Sequence, residues 1–237
     1  MLKGNQILTL AKIGKLKLRT YNGIPIAVVN TTDNKIKIPY EKFKSLMQLE
    51  DIRLDWLLGR NNMIAGGSVL NWIWGEQTNE DIDFFFRNEE SAEIFAQFIK
   101  GIGFKHTLTT GYASTYFEEE QGVILQIVGS SSKYTGPHGS VPRDFVDHGT
   151  PEEIIENFDF HVCKFAIDHE YVYTTSRAIQ DLLMLTIDVT GNEKDSIKRR
   201  VLKYLRKGFF VSSKIRSSII YQKNEMKRKR YDSEWPI

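Results

Sequence analysis

Apolar residues along the chain fall into two kinds of block. Short runs rich in β-branched and aromatic residues, bounded by turn-type clusters, occur at IPIAVVN, KIKIPY, MIA, DIDFFF, FKHTLTT, ASTYF and GVILQIVGS, and each predicts a strand. CKFAID and YVYTT, separated by Asp168-His169-Glu170, predict a hairpin. The first forty residues read as short strands and turns, with TTDN as one of the turns.

Elsewhere the apolar spacing is helical. From Glu41 to about Gly59, Phe43, Leu46, Met47, Leu49, Ile52, Leu54, Trp56, Leu57 and Leu58 predict one helix stopped by Gly59. Ser68 reads as the N-cap of a helix of about two turns ending near Gly75. Ser91–Ile99 presents Ile94, Phe95, Phe98 and Ile99 as an inner face, and Thr150-Pro151 followed by two glutamates starts another short helix. Ser176–Ile187 and Asp195–Lys207 close the series, the last with Ile197, Val201, Tyr204 and Leu205 facing inward. The polar stretch Ser130–Thr150, with Lys133, Tyr134, His138 and Arg143 among its glycines, reads as a loop able to contact an acceptor.

This order predicts an α+β fold, a small mixed or antiparallel sheet with flanking helices and a short basic helical C-terminal lobe. The expected divisions are an N-terminal β extension over 1–40, a catalytic domain over 41–175 and the basic lobe over 176–237. The 237 residues are 41% hydrophobic, enough for a sizeable core. Five scattered histidines and the single Cys163 exclude a disulfide framework and a Cys/His zinc site. No apolar run reaches the roughly 20 residues of a membrane span, so the expected location is the cytoplasm. The net charge of +2 hides a segregation: residues 194–230 carry +12 and residues 1–193 carry −8. A basic end of this kind is either a solvated helix face and charged tail, including KRKR at 227–230, or a site for triphosphate or nucleic acid.

The chemistry concentrates in AGGSVLNWIWGEQTNEDIDFFF, Ala65 to Phe86. On a strand, Asp81 and Asp83 project to the same side, and two carboxylates that close repel each other unless a cation lies between them. Oxygen ligands with no thiolate or imidazole nearby favour Mg²⁺ or Mn²⁺. Ahead of them, Gly66, Gly67 and Ser68 precede a helix N-terminus, where backbone N–H groups accept a phosphate. Trp56, Trp72 and Trp74 lie near this motif as core, lid or base-stacking residues.

The combination resembles the polymerase-beta type nucleotidyltransferase superfamily, and GGSVLNWIWG followed by DIDFF is most similar to the head of the CCA-adding and poly(A) polymerase branch. RVLKYLRKGF, Arg200 to Phe209, is similar to the Arg-rich helix that follows that branch's catalytic sheet. The chain departs from the branch in carrying Leu70 and Asn71 where Arg-Asp is usual, and in lacking a long helical body. Its layout looks more like the compact nucleotidyltransferase-like proteins of bacteriophages and other viruses.

The resemblance implies transfer of a nucleoside monophosphate from an NTP to an acceptor hydroxyl on an RNA end, a protein or a small molecule. Asp81 and Asp83 would hold Mg²⁺ or Mn²⁺, and Gly66, Gly67 and Ser68 would hold phosphates. Arg200, Lys203 and Arg206 would balance triphosphate charge or hold the acceptor. A third carboxylate is expected in the middle of GVILQIV, where Gln126 stands. Asp159, flanked by Phe158 and Phe160, is the substitute as metal ligand and base, with His161 on its strand face. The competing reading is a catalytically silent relative that binds nucleic acid or a protein through the basic lobe.

Overall fold

The computed structural model describes residues 4–21, 24–29, 33–49, 54–74, 81–110, 113–129, 148–190, 197–212 and 215. The sequence-predicted loop at 130–147, the EQTNE turn and the KRKR tail lie outside the described residues. In chain order the elements begin with α1 (Gly4–Ile13), β1 (Leu16–Tyr21), β2 (Ile24–Val29), β3 (Lys35–Pro39) and α2 (Tyr40–Met47). Next come β4 (Asn62–Ala65), α3 (Gly67–Trp74), β5 (Ile82–Phe86), α4 (Glu89–Gly101), β6 (Lys105–Thr109), β7 (Ala113–Glu118) and β8 (Val123–Val128). The series ends with α5 (Pro151–Glu156), β9 (Ala166–Ile167), β10 (Tyr171–Thr175), α6 (Ser176–Leu183), β11 (Thr186–Ile187), α7 (Ile197–Arg206) and β12 (Phe210–Val211).

One mixed sheet organises the described residues, in the order β3-β10-β9-β4-β5-β8-β7-β6. β5 lies near its centre, antiparallel to β4 and parallel to β8. That position accounts for the unbroken DIDFFF run: Phe84, Phe85 and Phe86 are all buried, which alternation alone would not require of a half-exposed strand. Each such side chain contributes about 1.5–3 kcal/mol on burial. Phe84 and Phe86 meet Phe95 of α4, and Phe85 meets Phe158 edge-on.

Several helices differ from expectation, each for a local reason. Gly4–Ile13 is helical, not strand, and packs Leu10 into the core. The predicted Glu41–Gly59 helix ends at Met47, where Gln48 turns left-handed and its N–H caps the last carbonyls; Asp55–Leu57 forms a separate 3₁₀ turn. On α4, Ala92, Phe95 and Ile99 are buried while Ile94 and Phe98 face outward. α6 stops at Leu183, a left-handed Leu185 follows, and the chain enters β11. On α7, Ile197, Val201 and Tyr204 are buried as predicted, but Leu205 is exposed. β3 belongs to the main sheet beside β10, whereas β1 and β2 form their own hairpin. α5 starts at Pro151 as expected, and a capping box between Thr150 and Glu153 secures it.

Below α6 a single guanidinium serves several acids. Arg177 pairs with buried Asp181 at 3.1 Å and with Asp188 at 2.9 Å, and its backbone N–H donates to Asp33. Burial pushes the Asp181 carboxyl up to about 7 against the opposing pull of Arg177. The native protein therefore holds a proton here that the unfolded chain, at 3.8, has lost, and stability from this group rises as pH falls through 7. Asp181→Asn is expected to raise the unfolding midpoint at pH 8, by roughly 2–4 °C for each kcal/mol recovered. The difference should shrink steadily below pH 7 and vanish only below about pH 3.8, as read from melting curves of both proteins across that range.

Candidate functional site

The site grows from the turn between β4 and α3. Gly66 takes φ +81°, and a Cβ there would stand 3.3 Å from the Phe158 ring, so both backbone and space require glycine. α3 starts at Gly67, two residues earlier than expected, which removes Ser68 from the N-cap. The Ser68 hydroxyl serves a different purpose. It donates to the Asp81 carbonyl at 3.0 Å and accepts from the Asp83 N–H at 3.5 Å, tying the glycine turn to the start of β5.

Asp83 stands in register with Gln126 on the parallel neighbour β8, so their side chains share one sheet face. The Gln126 amide donates to the Asp81 carboxylate at 2.7 Å, which brings Asp81 to that face as well. Thus the two acids lie together beside the glycine turn, with Gln126 at the position where the third acid was sought. Among the described residues no group of three His, Cys, Asp or Glu side chains could hold a metal ion. The pair Asp81 and Asp83 offers two hard oxygen donors, which fits a divalent cation completed by ligands from elsewhere, as Mg²⁺ commonly is.

A cavity of about 190 Å³ opens against this face. Gly66, Gly67, Asp83, Gln126, Phe158, Asp159, Arg200 and Tyr204 line it. The nearly buried Asp159 carboxylate forms an ion pair with Arg200 of α7. Here the structure departs from the sequence reading, in that Asp159 shares the cavity with Asp83 but is engaged by a cation of the chain itself. Nor does Asp159 sit on a strand: it occupies a bend, and a 3₁₀ turn over His161–Cys163 follows. His161 does not line the cavity; its backbone N–H donates to the Asp188 carbonyl, and burial, reinforced by Lys164 and Arg177, pushes its imidazole down to about 4. Its ring is therefore neutral at physiological pH.

Of the other predicted residues, Lys203 and Arg206 are exposed on α7 and do not line the cavity. Trp74 packs on Phe209, while Trp56 projects into solvent. Sequence reasoning missed the floor of the cavity. Tyr204 approaches Gly67 and its hydroxyl lies 2.9 Å from the Cys163 sulfur, whose thiol burial pushes up to about 11. Lys207 donates to Asn71, the residue standing where an acid is usual. The four-residue spacing of Arg200 and Tyr204 on one helix was the available signal, since it places both on the same face.

The fold is that of CCA-adding enzymes. The Thermotoga maritima CCA-adding enzyme complexed with tRNA superposes with a TM-score of 0.54 at 18% identity, over 76% of this chain and 44% of the enzyme. A CCA-adding enzyme in its apo form gives 0.58 at 18% identity over 82% and 47%, and one in complex with CTP gives 0.59 at 17% over 82% and 48%. The chain thus spans less than half the length of these enzymes. Among curated proteins nothing matches. The family model described as Gabija anti-defense 2 family protein matches residues 37–184. That match covers more than half of the chain, and the protein accordingly belongs to the Gabija anti-defense 2 family.

Proposed function

We propose that this protein is a metal-dependent nucleotidyltransferase that moves a nucleoside monophosphate from an NTP to an acceptor oxygen, releasing pyrophosphate. The acceptor classes are those expected from sequence: an RNA end, a protein side chain or a small molecule. The observation that carries the reading is the placement of Asp81 and Asp83 on one face, tied through Ser68 to the Gly66-Gly67 turn. Solved relatives include complexes with CTP, ATP and tRNA, which supports a nucleotide ligand and an RNA-like partner.

In this reading Asp81 and Asp83 hold Mg²⁺ or Mn²⁺, which when bound neutralises charge on the triphosphate and the departing pyrophosphate. Gly67 and the first turn of α3 present backbone N–H groups to the phosphates. Arg200 reaches the triphosphate from the opposite wall, and Lys203 and Arg206 extend the positive field along α7. Asp159 positions Arg200, and becomes a metal ligand only by releasing it. Gln126 favours one alternative, a silent protein that binds nucleic acid or a protein partner through its basic end. The anti-defense description of the family supports a phage-encoded protein working in a bacterial cytoplasm on either reading.

Thermal melting with each NTP, with and without Mg²⁺ or Mn²⁺, separates the two. A ligand present at 100 times its Kd stabilises by about 2.7 kcal/mol, so the enzyme reading predicts a metal-dependent rise in midpoint. Asp81→Ala and Asp83→Ala should each abolish it; a flat response in every combination supports the silent protein. Ser68→Ala is expected to cost about 1 kcal/mol of stability while weakening the nucleotide response far more, because the turn and the acids lose their link. Arg200→Ala leaves Asp159 buried without its cation and should destabilise by about 1–3 kcal/mol, and adding Asp159→Asn should restore most of that loss.

A further inference from the structure

Among the described residues that line the cavity, the acids are committed to other tasks. Gln126 stands beside Asp83 where a carboxylate could act as base, and an amide cannot do so. Its N–H is directed to Asp81. Asp159 is neutralised by Arg200, and Asp81 and Asp83 are the cation's ligands in the function proposed above. A hydroxyl acceptor needs its proton taken as it attacks, whereas a phosphate monoester, with its second ionisation near about 6, is already an anion at neutral pH.

Charge points the same way. Gln126 puts an uncharged amide beside Asp83 on the face that an incoming anion must cross. The Arg200 charge is balanced by Asp159, and α7 carries Lys203 and Arg206 further out along its exposed surface, where they attract an anion.

We propose that the acceptor is an ionised oxygen of the phosphomonoester class, delivered to the cavity between Gln126 and Arg200. This rests on the nucleotidyltransferase reading and narrows its acceptor. A phosphate oxygen of the acceptor forms a bond to the α-phosphorus of the NTP. The bond from that phosphorus to the β-bridging oxygen breaks, pyrophosphate leaves with the electron pair, and the product is a phosphoanhydride. No proton changes hands in the bond-making step.

The test uses the full chain with α-labelled NTP and Mg²⁺ or Mn²⁺. It offers inorganic phosphate, a nucleoside monophosphate, and one oligonucleotide prepared with either a terminal phosphate or a terminal hydroxyl. Label should enter the nucleoside monophosphate and the phosphorylated oligonucleotide in a phosphatase-resistant linkage and inorganic phosphate as a nucleoside diphosphate, with the hydroxyl oligonucleotide labelled at least about tenfold less. Labelling of the small phosphates alone identifies a metabolite-sized acceptor, and labelling of the phosphorylated oligonucleotide identifies a nucleic acid end. Fluorescence anisotropy on nucleotide-loaded protein should show the same preference in binding. Gln126→Glu, which adds a base and a negative charge, should raise hydroxyl labelling by about 10²-fold, the lower end of what general base catalysis supplies, and reduce phosphate labelling. Equal labelling of both oligonucleotide forms, or nucleotide binding with no labelled phosphate acceptor, overturns this inference alone. Absence of metal-dependent nucleotide binding overturns the function beneath it.

Discussion

The site depends on how negative charge is managed beside β5, near the centre of the main sheet. Asp81, Asp83 and Asp159 converge on a region built from phenylalanines, and each is held by a different device. Asp81 accepts from the Gln126 amide, Asp159 faces the Arg200 guanidinium, and the Asp83 backbone is anchored by the Ser68 hydroxyl. Of the three only Asp159 is buried, and its carboxylate without a partner would cost several kcal/mol or would take up a proton. Their arrangement around a glycine turn that a side chain would block is what makes the region a site and not merely a polar seam in the core.

That management also joins the two electrostatic halves of the molecule. The basic segment from Arg200 to Lys207 is held to the main body through Arg200 on Asp159, Tyr204 on Cys163 and Lys207 on Asn71. The segregation of +12 and −8 along the sequence thus has a structural counterpart, at least over the described part of the basic segment. Opposite charges far apart in sequence meet at the mouth of the cavity, and the helix that carries the cations is positioned by its own buried face of Ile197, Val201 and Tyr204.

Much of this was legible from the residues alone. Strand propensities placed the runs from MIA to GVILQIVGS, and the period-two spacing of Asp81 and Asp83 placed both acids on one face. What was not legible were long-range partners. Ser68 looked like an N-cap because its local sequence suits one, yet its hydroxyl is taken by a strand thirteen residues on. Asp159 looked like a metal ligand because only an acid flanked by phenylalanines is visible in one dimension; Arg200, 41 residues later, is not. The helix from Glu41 was drawn too long because apolar periodicity persists after Met47, while the left-handed turn at Gln48 leaves no mark in composition. Gln126 was legible as a departure, but its hydrogen bond to Asp81 needed the register of β5 on β8.

The most direct test of the account is the anomalous signal of Mn²⁺ in crystals grown with a non-hydrolysable NTP. The account predicts a peak about 2.1 Å from carboxylate oxygens of both Asp81 and Asp83, with the triphosphate running toward Gly67 and Arg200. Bound nucleotide with no metal at these two acids, or a metal held elsewhere in the chain, would contradict it.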